Sequence, residues 1–325
     1  MRRMVVSVMG AMLALSVSAW AAQPFPTRPV RLVVPSAPGG GNDLIARVIA
    51  DKFSARWGQT VVVDNRAGGS GALGAQITAA ARPDGHTLMN ATGGHITINP
   101  LLRDLPYDSA GAFAPITILA TAPYLLVVNP SIVPGKSVRE LVELAKASPG
   151  KLLYGSAVGS PDHLAGELFQ MMTATRLTHV PYKSSAGGMI DLLGGRLALT
   201  FLTIPAVKPH IDSGKLRALG SSDRKRSPLL PAVPTIAESG VAGYELFTWY
   251  GLFAPAGIPG AILGKISADI SDILKEADVR QKLEGHGYDP VGNRPHEAAA
   301  FIKKESAVFA KIIAGANLKE RFNSK

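Results

Sequence analysis

The sequence predicts an α/β protein made of two lobes. Short runs rich in β-branched residues alternate with helical stretches in two blocks, one before and one after residue 120. This alternation is typical of parallel strands joined by right-handed helical crossovers. Apolar residues make up 46% of the 325 residues and charged residues 18%, which excludes disorder over most of the chain. We therefore expect each lobe to contain a mainly parallel sheet flanked by helices.

The first block predicts a βαβαβ unit. A β-branched run begins it, and an apolar stripe with helical spacing follows between Asn42 and Trp57. Pro83-Asp84-Gly85 provides a turn before the third strand. The predicted elements are a strand at residues 30–35, a helix at 42–57, a strand at 60–63, a helix at 72–81 and a strand at 87–92.

The second block has the same alternation and clear helix-start signals. Ser137 and Glu140 form a capping-box pattern, and Pro161 occupies the first turn of another predicted helix. After Pro259 the chain is mostly helical, and we expect this segment to return to the first lobe. We predict strands at 124–128, 153–156, 178–180, 197–203, 217–220, 250–255 and 288–291, helices at 137–148, 161–172, 261–276, 278–284 and 295–314, and a proline-rich loop at 227–234.

The N-terminus has the pattern of a cleaved secretory signal. Arg2 and Arg3 precede an apolar stretch at residues 5–19, and Ala19 and Ala21 are the small residues of a cleavage site. The stretch is shorter than the about 20 residues that usually span a bilayer, which favours a signal over a membrane anchor. We predict cleavage after Ala21 and export to the periplasm. The chain contains no cysteine, which excludes a lipid anchor, disulfides and a thiol nucleophile.

The positive charge of the chain does not indicate a nucleic-acid partner. The formal net charge is +10, and removal of residues 1–21, with two arginines and no acid, leaves +8. The basic residues are scattered except at Arg224-Lys225-Arg226, and no aromatic residues lie between them. A net positive field attracts anionic solutes.

Two glycine-containing junctions between a predicted strand and a predicted helix are candidate binding loops. The first contains Gly39-Gly40-Gly41 before Asp43, and the second contains Gly159 before Ser160 and Pro161. Glycine lets a ligand approach the backbone, and free N–H groups at a helix start attract anions. A plain turn with a helix cap explains each junction equally well. The residues alone leave both interpretations open.

Other motifs carry less chemistry. Gly69-Ser70-Gly71-Ala72-Leu73-Gly74 formally matches a dinucleotide fingerprint, but residues 88–92 lack the required acid, so we interpret it as a turn and helix cap. No pair of histidines has metal-ligand spacing, and His163 with Glu167 is interpreted as a contact within one helix. No nucleophile elbow is present. We therefore predict no cofactor, no metal and no catalytic residue, and hence no enzyme.

Ordered motifs extend over residues 24–320. They are residues 26–35 with Pro38-Gly39-Gly40, Gly58-Gln59 with Asn65-Arg66, Ala81-Arg82-Pro83-Asp84-Gly85, residues 146–152, His179-Val180-Pro181-Tyr182-Lys183, residues 214–219, Val233-Pro234-Thr235 and Trp249-Tyr250-Gly251. Together they resemble the Bug family, the extracytoplasmic solute receptors of the tripartite tricarboxylate transporters. The resemblance implies a type II periplasmic binding protein, a Venus flytrap whose two lobes close on a ligand. It implies a first lobe at residues 22–122 plus 250–325 and a second lobe at 123–249.

The resemblance also implies the ligand and its site. A small organic carboxylate would lie between the lobes, held by main-chain amides, hydroxyl groups and bridging waters. The implied contacts in the first lobe are Pro38, Gly39, Gly40, Asn42, Asp43, Thr92, Gly93 and His95. Those in the second lobe are Ser156, Gly159, Ser160, His163, Tyr182 and Lys183.

One departure from the family pattern concerns the chemistry of the ligand. Ala198 and Leu202 occupy positions where the family usually carries aspartate, so the strand at 197–203 supplies no carboxylate. Asp43 and Asp162 lie at helix starts, where capping is their expected role. An ammonium group in a closed cleft needs an acidic partner, so we predict a carboxylate without a free amine. Alternatively, Leu202 packs in the lobe core and carries no information about the cleft.

These observations together predict a function for the chain. We expect a periplasmic, monomeric solute receptor that delivers a small organic carboxylate to a tripartite tricarboxylate-type membrane permease. Two alternatives remain at this stage: a receptor that presents its liganded state to a sensor kinase, and a secreted hydrolase of the same fold. The absence of an arguable nucleophile or metal set weighs against the hydrolase.

Overall fold

The computed structural model describes residues 25–182 and 185–323. The predicted signal sequence at 1–21 and the predicted contact Lys183 lie outside these residues. The strands are β1 (Val30–Val34), β2 (Val61–Asn65), β3 (Thr87–Thr92), β4 (Phe113–Val128), β5 (Leu153–Ala157), β6 (Thr178–Tyr182), β7 (Leu199–Thr203), β8 (Arg217–Ser221), β9 (Phe247–Pro255) and β10 (Asp289–Pro290). The helices are α1 (Gly41–Trp57), α2 (Ala72–Ala79), α3 (Asn99–Leu102), α4 (Val138–Ala147), α5 (Pro161–Thr173), α6 (Ser185–Leu193), α7 (Ile204–Asp212), α8 (Gly260–Ile273), α9 (Ala277–Glu284), α10 (Pro295–Gly315) and α11 (Leu318–Asn323).

Strand β4 connects two sheets. The strand order is β2-β1-β3-β9-β4-β7-β5-β6, with β8 and β10 also paired to β4. Residues 113–123 of β4 pair with β9, whereas residues 124–128 pair with β7 and β8. We call the sheet of β1, β2, β3, β9 and β10 the first lobe and the sheet of β5, β6, β7 and β8 the second lobe. The predicted α/β fold with two lobes is confirmed.

Each sheet is mixed, with its parallel part on one side of β4. The pairs β1–β2, β1–β3, β5–β6 and β5–β7 are parallel, as the helical crossovers predicted. The antiparallel pairs all involve β4 or β9, the two long strands at the boundary between the lobes. The parallel strands of each lobe therefore share one edge at their carboxyl ends.

These carboxyl ends lie close to the lobe boundary. Thr92 at the end of β3 is paired with Tyr250, which is in turn paired with Ala120 of β4. Thr203 at the end of β7 is paired with Tyr124 of the same strand. The loops that follow the parallel strands of both lobes are therefore gathered around the middle of β4, where ligands bind in open α/β sheets.

Helix α10 packs against both lobes. Its residue Ala298 belongs to a buried cluster with Trp249 of the first lobe. Farther along the helix, Phe309 and Ile312 belong to a buried cluster with Phe169 of α5 in the second lobe. The expected return of the last segment to the first lobe did not include this second contact. Within the described residues, no helix combines the length and the apolar character needed to cross a membrane.

Candidate functional site

The glycine loop before α1 is held by Asp43. The N–H of Gly39 donates to Oδ2 of Asp43 at 3.0 Å, and Nε of Arg47 donates to the same oxygen at 3.0 Å. Burial would raise the pKa of the Asp43 carboxyl, but the hydrogen bonds from Arg47 and Gly39 hold it below its ordinary value. Asp43 is 4% exposed, whereas Pro38, Gly39 and Gly40 are exposed. Asp43 thus shapes the loop, and the three residues before α1 line its open side.

Asn42 links the first turn of α1 to β3. Its side-chain amide donates to the carbonyl oxygen of Asn90 at 3.0 Å, and the amide of Asn90 donates to the carbonyl of Asn42 at 2.8 Å. Both asparagines are buried. Asn90 is a polar residue inside the otherwise apolar strand at 87–92, and this is the sequence feature that indicates a buried polar contact there.

Tyrosine hydroxyl groups approach the start of α1, although no local sequence pattern indicates this contact. A Cβ on Gly41 would overlap the hydroxyl of Tyr288 and would lie 2.8 Å from the hydroxyl of Tyr250. Both tyrosines are buried. Burial raises the pKa of Tyr288 and raises that of Tyr250 well above its ordinary value, so both hydroxyls are protonated donors at neutral pH. Burial and the charge of Asp162 likewise raise the pKa of Tyr124. The hydroxyls of Tyr250 and Tyr288 therefore lie beside the start of α1.

The predicted contacts after β3 form a compact turn. The ring nitrogen Nδ1 of His95 accepts the N–H of Thr92 at 3.2 Å and lies 3.3 Å from its hydroxyl. Burial lowers the pKa of His95 to about 4, so the ring is neutral at pH 7. A Cβ on Gly93 would lie 2.7 Å from Nε1 of Trp249. Glycine is therefore required at position 93 by the indole below it.

The loop before α5 uses several of its own amides. The N–H of Gly159 donates to Nδ1 of His163 at 3.2 Å, and the N–H of Ser160 donates to the carbonyl of Ala157 at 3.2 Å. Ser160 caps the helix as predicted, because its Oγ accepts the N–H of His163. Pro161 has no N–H. The expectation that free amides of this junction point outward is therefore wrong for Gly159, Ser160 and His163 in this conformation.

Behind this loop lies a buried group of polar side chains. Oγ of Ser156 is 2.8 Å from Nε2 of His179, and the His179 ring stacks on His163 at a centroid distance of 3.9 Å. Nε2 of His163 is 3.3 Å from Oε1 of Glu167, which accepts the hydroxyl of Tyr154 at 2.7 Å. Ser156 is 1% exposed and His163 3%. The Ser156 hydroxyl is thus buried, and it lies within hydrogen-bond distance of the half-buried His179.

Tyr182 ends β6 beside α6. Its hydroxyl donates to Oδ2 of Asp191 at 2.6 Å. Burial, followed by this carboxylate, raises the pKa of Tyr182 to about 12. Asp191 also pairs with Arg196 at 2.5 Å. The hydroxyl of Tyr182 is therefore directed toward an internal acceptor.

The second candidate loop lies against the segment that follows β3. A Cβ on Gly159 would lie 2.6 Å from Cδ1 of Leu102 in α3, so the loop before α5 is in contact with the short helix that follows β3. A Cβ on Gly94 would lie 3.5 Å from Cδ of Pro161. The structure thus brings the first turn of α5 next to the segment that follows β3.

Leu202 and Ala198 do not face the cleft. Leu202 is 5% exposed in an apolar cluster with Leu192, Ile204 and Leu216, and Ala198 is 3% exposed in another cluster with Tyr154. The alternative that Leu202 packs in the lobe core is the correct one. These two positions therefore carry no information about the charge of the ligand. In the described part of the chain, no three His, Cys, Asp or Glu side chains are grouped as a metal site.

Comparison with known proteins gives a consistent result. The sequence model described as the tripartite tricarboxylate transporter family receptor matches residues 45–318. Protein BugT of Bordetella pertussis is 35% identical over 303 residues, which are 92% of this chain and 93% of BugT.

Two solved structures resemble this one over most of their length. Rpa4515 of R. palustris with adipate has a TM-score of 0.83 and 40% identity, covering 90% of this chain and 98% of that one. MatC (Rpa3494) of Rhodopseudomonas palustris with bound malate has a TM-score of 0.78 and 30% identity, covering 89% of this chain and 100% of that one. The chain therefore belongs to the receptor family of the tripartite tricarboxylate transporters, and its resemblance to the Bug receptors is confirmed.

Proposed function

We propose that the protein is a periplasmic receptor that binds a small dicarboxylate without an amino group and delivers it to a tripartite tricarboxylate-type permease. The observation that carries the proposal is the likeness to two family members whose structures contain adipate and malate. Both of these ligands are aliphatic dicarboxylates without an amine. The receptor would be exported by its N-terminal signal and would act as a monomer.

The cleft between the lobes is the proposed binding site. The exposed loop of Pro38, Gly39 and Gly40 lies at the start of a 17-residue helix, where free N–H groups and the helix dipole favour an anion. The contact between Gly159 and Leu102 of α3 supports a site bounded by the loop before α5 and by the segment that follows β3. A ligand that contacts both lobes would stabilise the closed arrangement. The other residues implied by the family, including Thr92, His95, Ser156, Ser160, Tyr182 and Lys183, remain proposed members of the site.

Calorimetric titration tests this proposal directly. The panel contains adipate, malate and succinate, with aspartate and glutamate as amine-bearing matches of similar length. We expect saturable binding of at least one dicarboxylate and no binding of either amino acid. A dicarboxylate at 100 times its dissociation constant should also stabilise the fold by about 2.7 kcal/mol in thermal unfolding. Tight binding of aspartate or glutamate alone would contradict the ligand class, and turnover of any ligand would contradict a receptor.

A further inference from the structure

We propose that His163 is a positioning residue that holds the second-lobe loop in its binding conformation through the N–H of Gly159. This role replaces the direct ligand contact that the family resemblance implied for His163, and it rests on the proposed function of the cleft. The histidine lies 3% exposed in the first turn of α5, behind the loop. Its effect on a ligand would therefore be transmitted by the backbone.

The hydrogen bond assigns the ring tautomer. The N–H of Gly159 can only donate, so Nδ1 of His163, at 3.2 Å, must be the bare acceptor nitrogen. The proton of the neutral ring is then on Nε2, which lies 3.3 Å from Oε1 of Glu167 but makes no hydrogen bond of acceptable geometry with it. A single imidazole orientation thus places an acceptor toward the loop and a donor toward a buried carboxylate.

The ring is supported from both sides. Its face stacks on His179, with centroids 3.9 Å apart and planes 17° from parallel, and His179 is in turn 2.8 Å from the hydroxyl of Ser156. Oε1 of Glu167, the oxygen beside the ring, also accepts the hydroxyl of Tyr154 at 2.7 Å. Side chains held by such neighbours keep one rotamer, which is what a positioning group requires.

The loop needs this acceptor because of its own geometry. Gly159 is buried and has a φ of +73°, a left-handed conformation that most residues avoid. Cδ1 of Leu102 would lie 2.6 Å from a Cβ at this position, so a side chain at position 159 would have to displace Leu102. Without Nδ1 of His163, the Gly159 N–H would be buried without an acceptor, and the loop would rearrange to satisfy it. Such a rearrangement would move both the candidate contact with ligand and the contact with Leu102.

The first lobe contains the same kind of hydrogen bond. Nδ1 of His95 accepts the N–H of Thr92, also at 3.2 Å, in the segment that follows β3. In each lobe, therefore, a histidine ring nitrogen accepts a backbone amide at or just after the carboxyl end of a parallel strand. The recurrence in two unrelated sequence segments supports a role in shaping the loops.

Two substitutions separate the two ring nitrogens. In His163→Asn the side-chain oxygen can occupy the place of Nδ1 and accept the Gly159 N–H, whereas in His163→Gln the amide reaches only the place of Nε2. Both variants lose the stack on His179, and His163→Gln also leaves the Gly159 N–H without its acceptor, so its ligand-free stability should fall further than that of His163→Asn. With adipate as the probe, we expect His163→Asn to bind within about threefold of the wild type and His163→Gln to bind about tenfold more weakly or worse, the effect of one lost hydrogen bond. Equal losses in both variants, or a greater loss in His163→Asn, would overturn the proposal.

Nuclear magnetic resonance of the unaltered protein provides a readout that does not depend on any ligand or on the folding of a variant. The ¹⁵N shift of His163 Nδ1 should be that of an unprotonated nitrogen, and a coupling across the hydrogen bond should join it to the amide nitrogen of Gly159. A protonated Nδ1, or no coupling, overturns the proposal even if adipate binds. If the wild type binds no dicarboxylate, the proposed function fails, while the coupling still decides whether His163 holds the loop.

Discussion

Asn42 and Asn90 each donate a side-chain N–H to the main-chain carbonyl of the other, at 3.0 and 2.8 Å. This reciprocal pair fastens the first turn of α1 to the middle of β3. The exposed glycine loop immediately before α1 therefore begins from a fixed point, although its own residues have few contacts. The site loop is positioned by buried amides beneath it.

Asn90→Ala should lower the free energy of unfolding by about 2 kcal/mol, because it removes one hydrogen bond and leaves the carbonyl of Asn42 buried without its donor. Urea unfolding at neutral pH measures the effect. The exposed helical residue Gln281 provides the control, since Gln281→Ala should change stability by less than about 0.5 kcal/mol. Equal stabilities of the two variants would show that the pair does not fasten the helix.

Substitutions at two neighbouring glycines distinguish an effect on packing from an effect on ligand binding. A Cβ at position 41 overlaps the Tyr288 hydroxyl, whereas a Cβ at position 40 meets nothing within 4 Å, and the φ of Gly40 is an ordinary −85°. Gly41→Ala should therefore destabilise the fold by about 1–3 kcal/mol through overpacking. Gly40→Ala should leave stability unchanged but weaken adipate binding, because its methyl group enters the open side of the loop.

Thermal unfolding and calorimetric titration of both variants check this pair of expectations. Wild-type affinity in Gly40→Ala would exclude the loop before α1 from the site. Wild-type stability in Gly41→Ala would show that Tyr288 moves away from the helix start at no cost.

Much of the fold was predictable from strand and helix patterns, and the elements that were missed contain residues that disfavour them. The first part of β4 carries Pro115 and Pro123, which normally exclude a central strand. The structure accommodates them where the register with β9 shifts near Pro115 and where β4 passes between lobes. Helix α7 was missed because it contains Pro209, and α6 because Gly187 and Gly188 lie within it.

The candidate site was predictable only at its loops. Patterns of glycine, serine and proline identified both strand–helix junctions, because those residues determine local backbone geometry. Tyr250, Tyr288 and Asn90 were missed because they reach the helix start from other parts of the chain, through pairings that no local pattern encodes. The use of the Gly159 amide by His163 also depends on a side-chain direction that the sequence does not specify.

The stability of the fold should depend on His95 in mildly acidic solution. Burial lowers the pKa of His95 from 6.5 to about 4 in the folded protein. Between these two values the unfolded chain binds a proton that the folded chain does not, so stability falls as the pH decreases from 6.5 to about 4. His95→Asn keeps an acceptor for the Thr92 N–H but has no imidazole to titrate. The difference in free energy of unfolding between the wild type and His95→Asn should therefore become smaller as the pH falls.

Urea unfolding of both proteins at about pH 7 and about pH 5 measures this dependence. His86→Asn, at another partly buried histidine of the first lobe, controls for the general effect of removing an imidazole. Parallel pH curves for the wild type and His95→Asn would contradict a neutral, buried His95.

Glu305 on α10 should make the stability of the fold change with pH in the opposite direction to His95. Burial, followed by the negative charge of Glu245, raises its pKa from 4.5 to about 7. Glu245 is itself paired with Arg224 at 2.6 Å, and Lys304 only partly offsets the effect on Glu305. Between pH 4.5 and 7 the folded chain retains a proton that the unfolded chain has lost, so stability falls as the pH rises through this range.

Because the windows of His95 and Glu305 overlap, their contributions to the stability of the wild type oppose each other between about pH 5 and 6, so each contribution is measured as a difference between the wild type and its variant. Glu305→Gln removes one of the two and should raise the free energy of unfolding by about 1–3 kcal/mol at pH 8, with no gain near pH 4. Exposed Glu143→Gln controls for the loss of one negative charge.

Glu305 lies on α10 between Ala298, which packs on the first lobe, and Phe309, which packs on the second. A gain in stability of Glu305→Gln confined to high pH would therefore mean that ionisation of Glu305 strains the helix that joins the lobes. If Glu305→Gln and the wild type have the same stability at pH 8, the wild-type carboxylate is solvated and its ionisation does not strain α10.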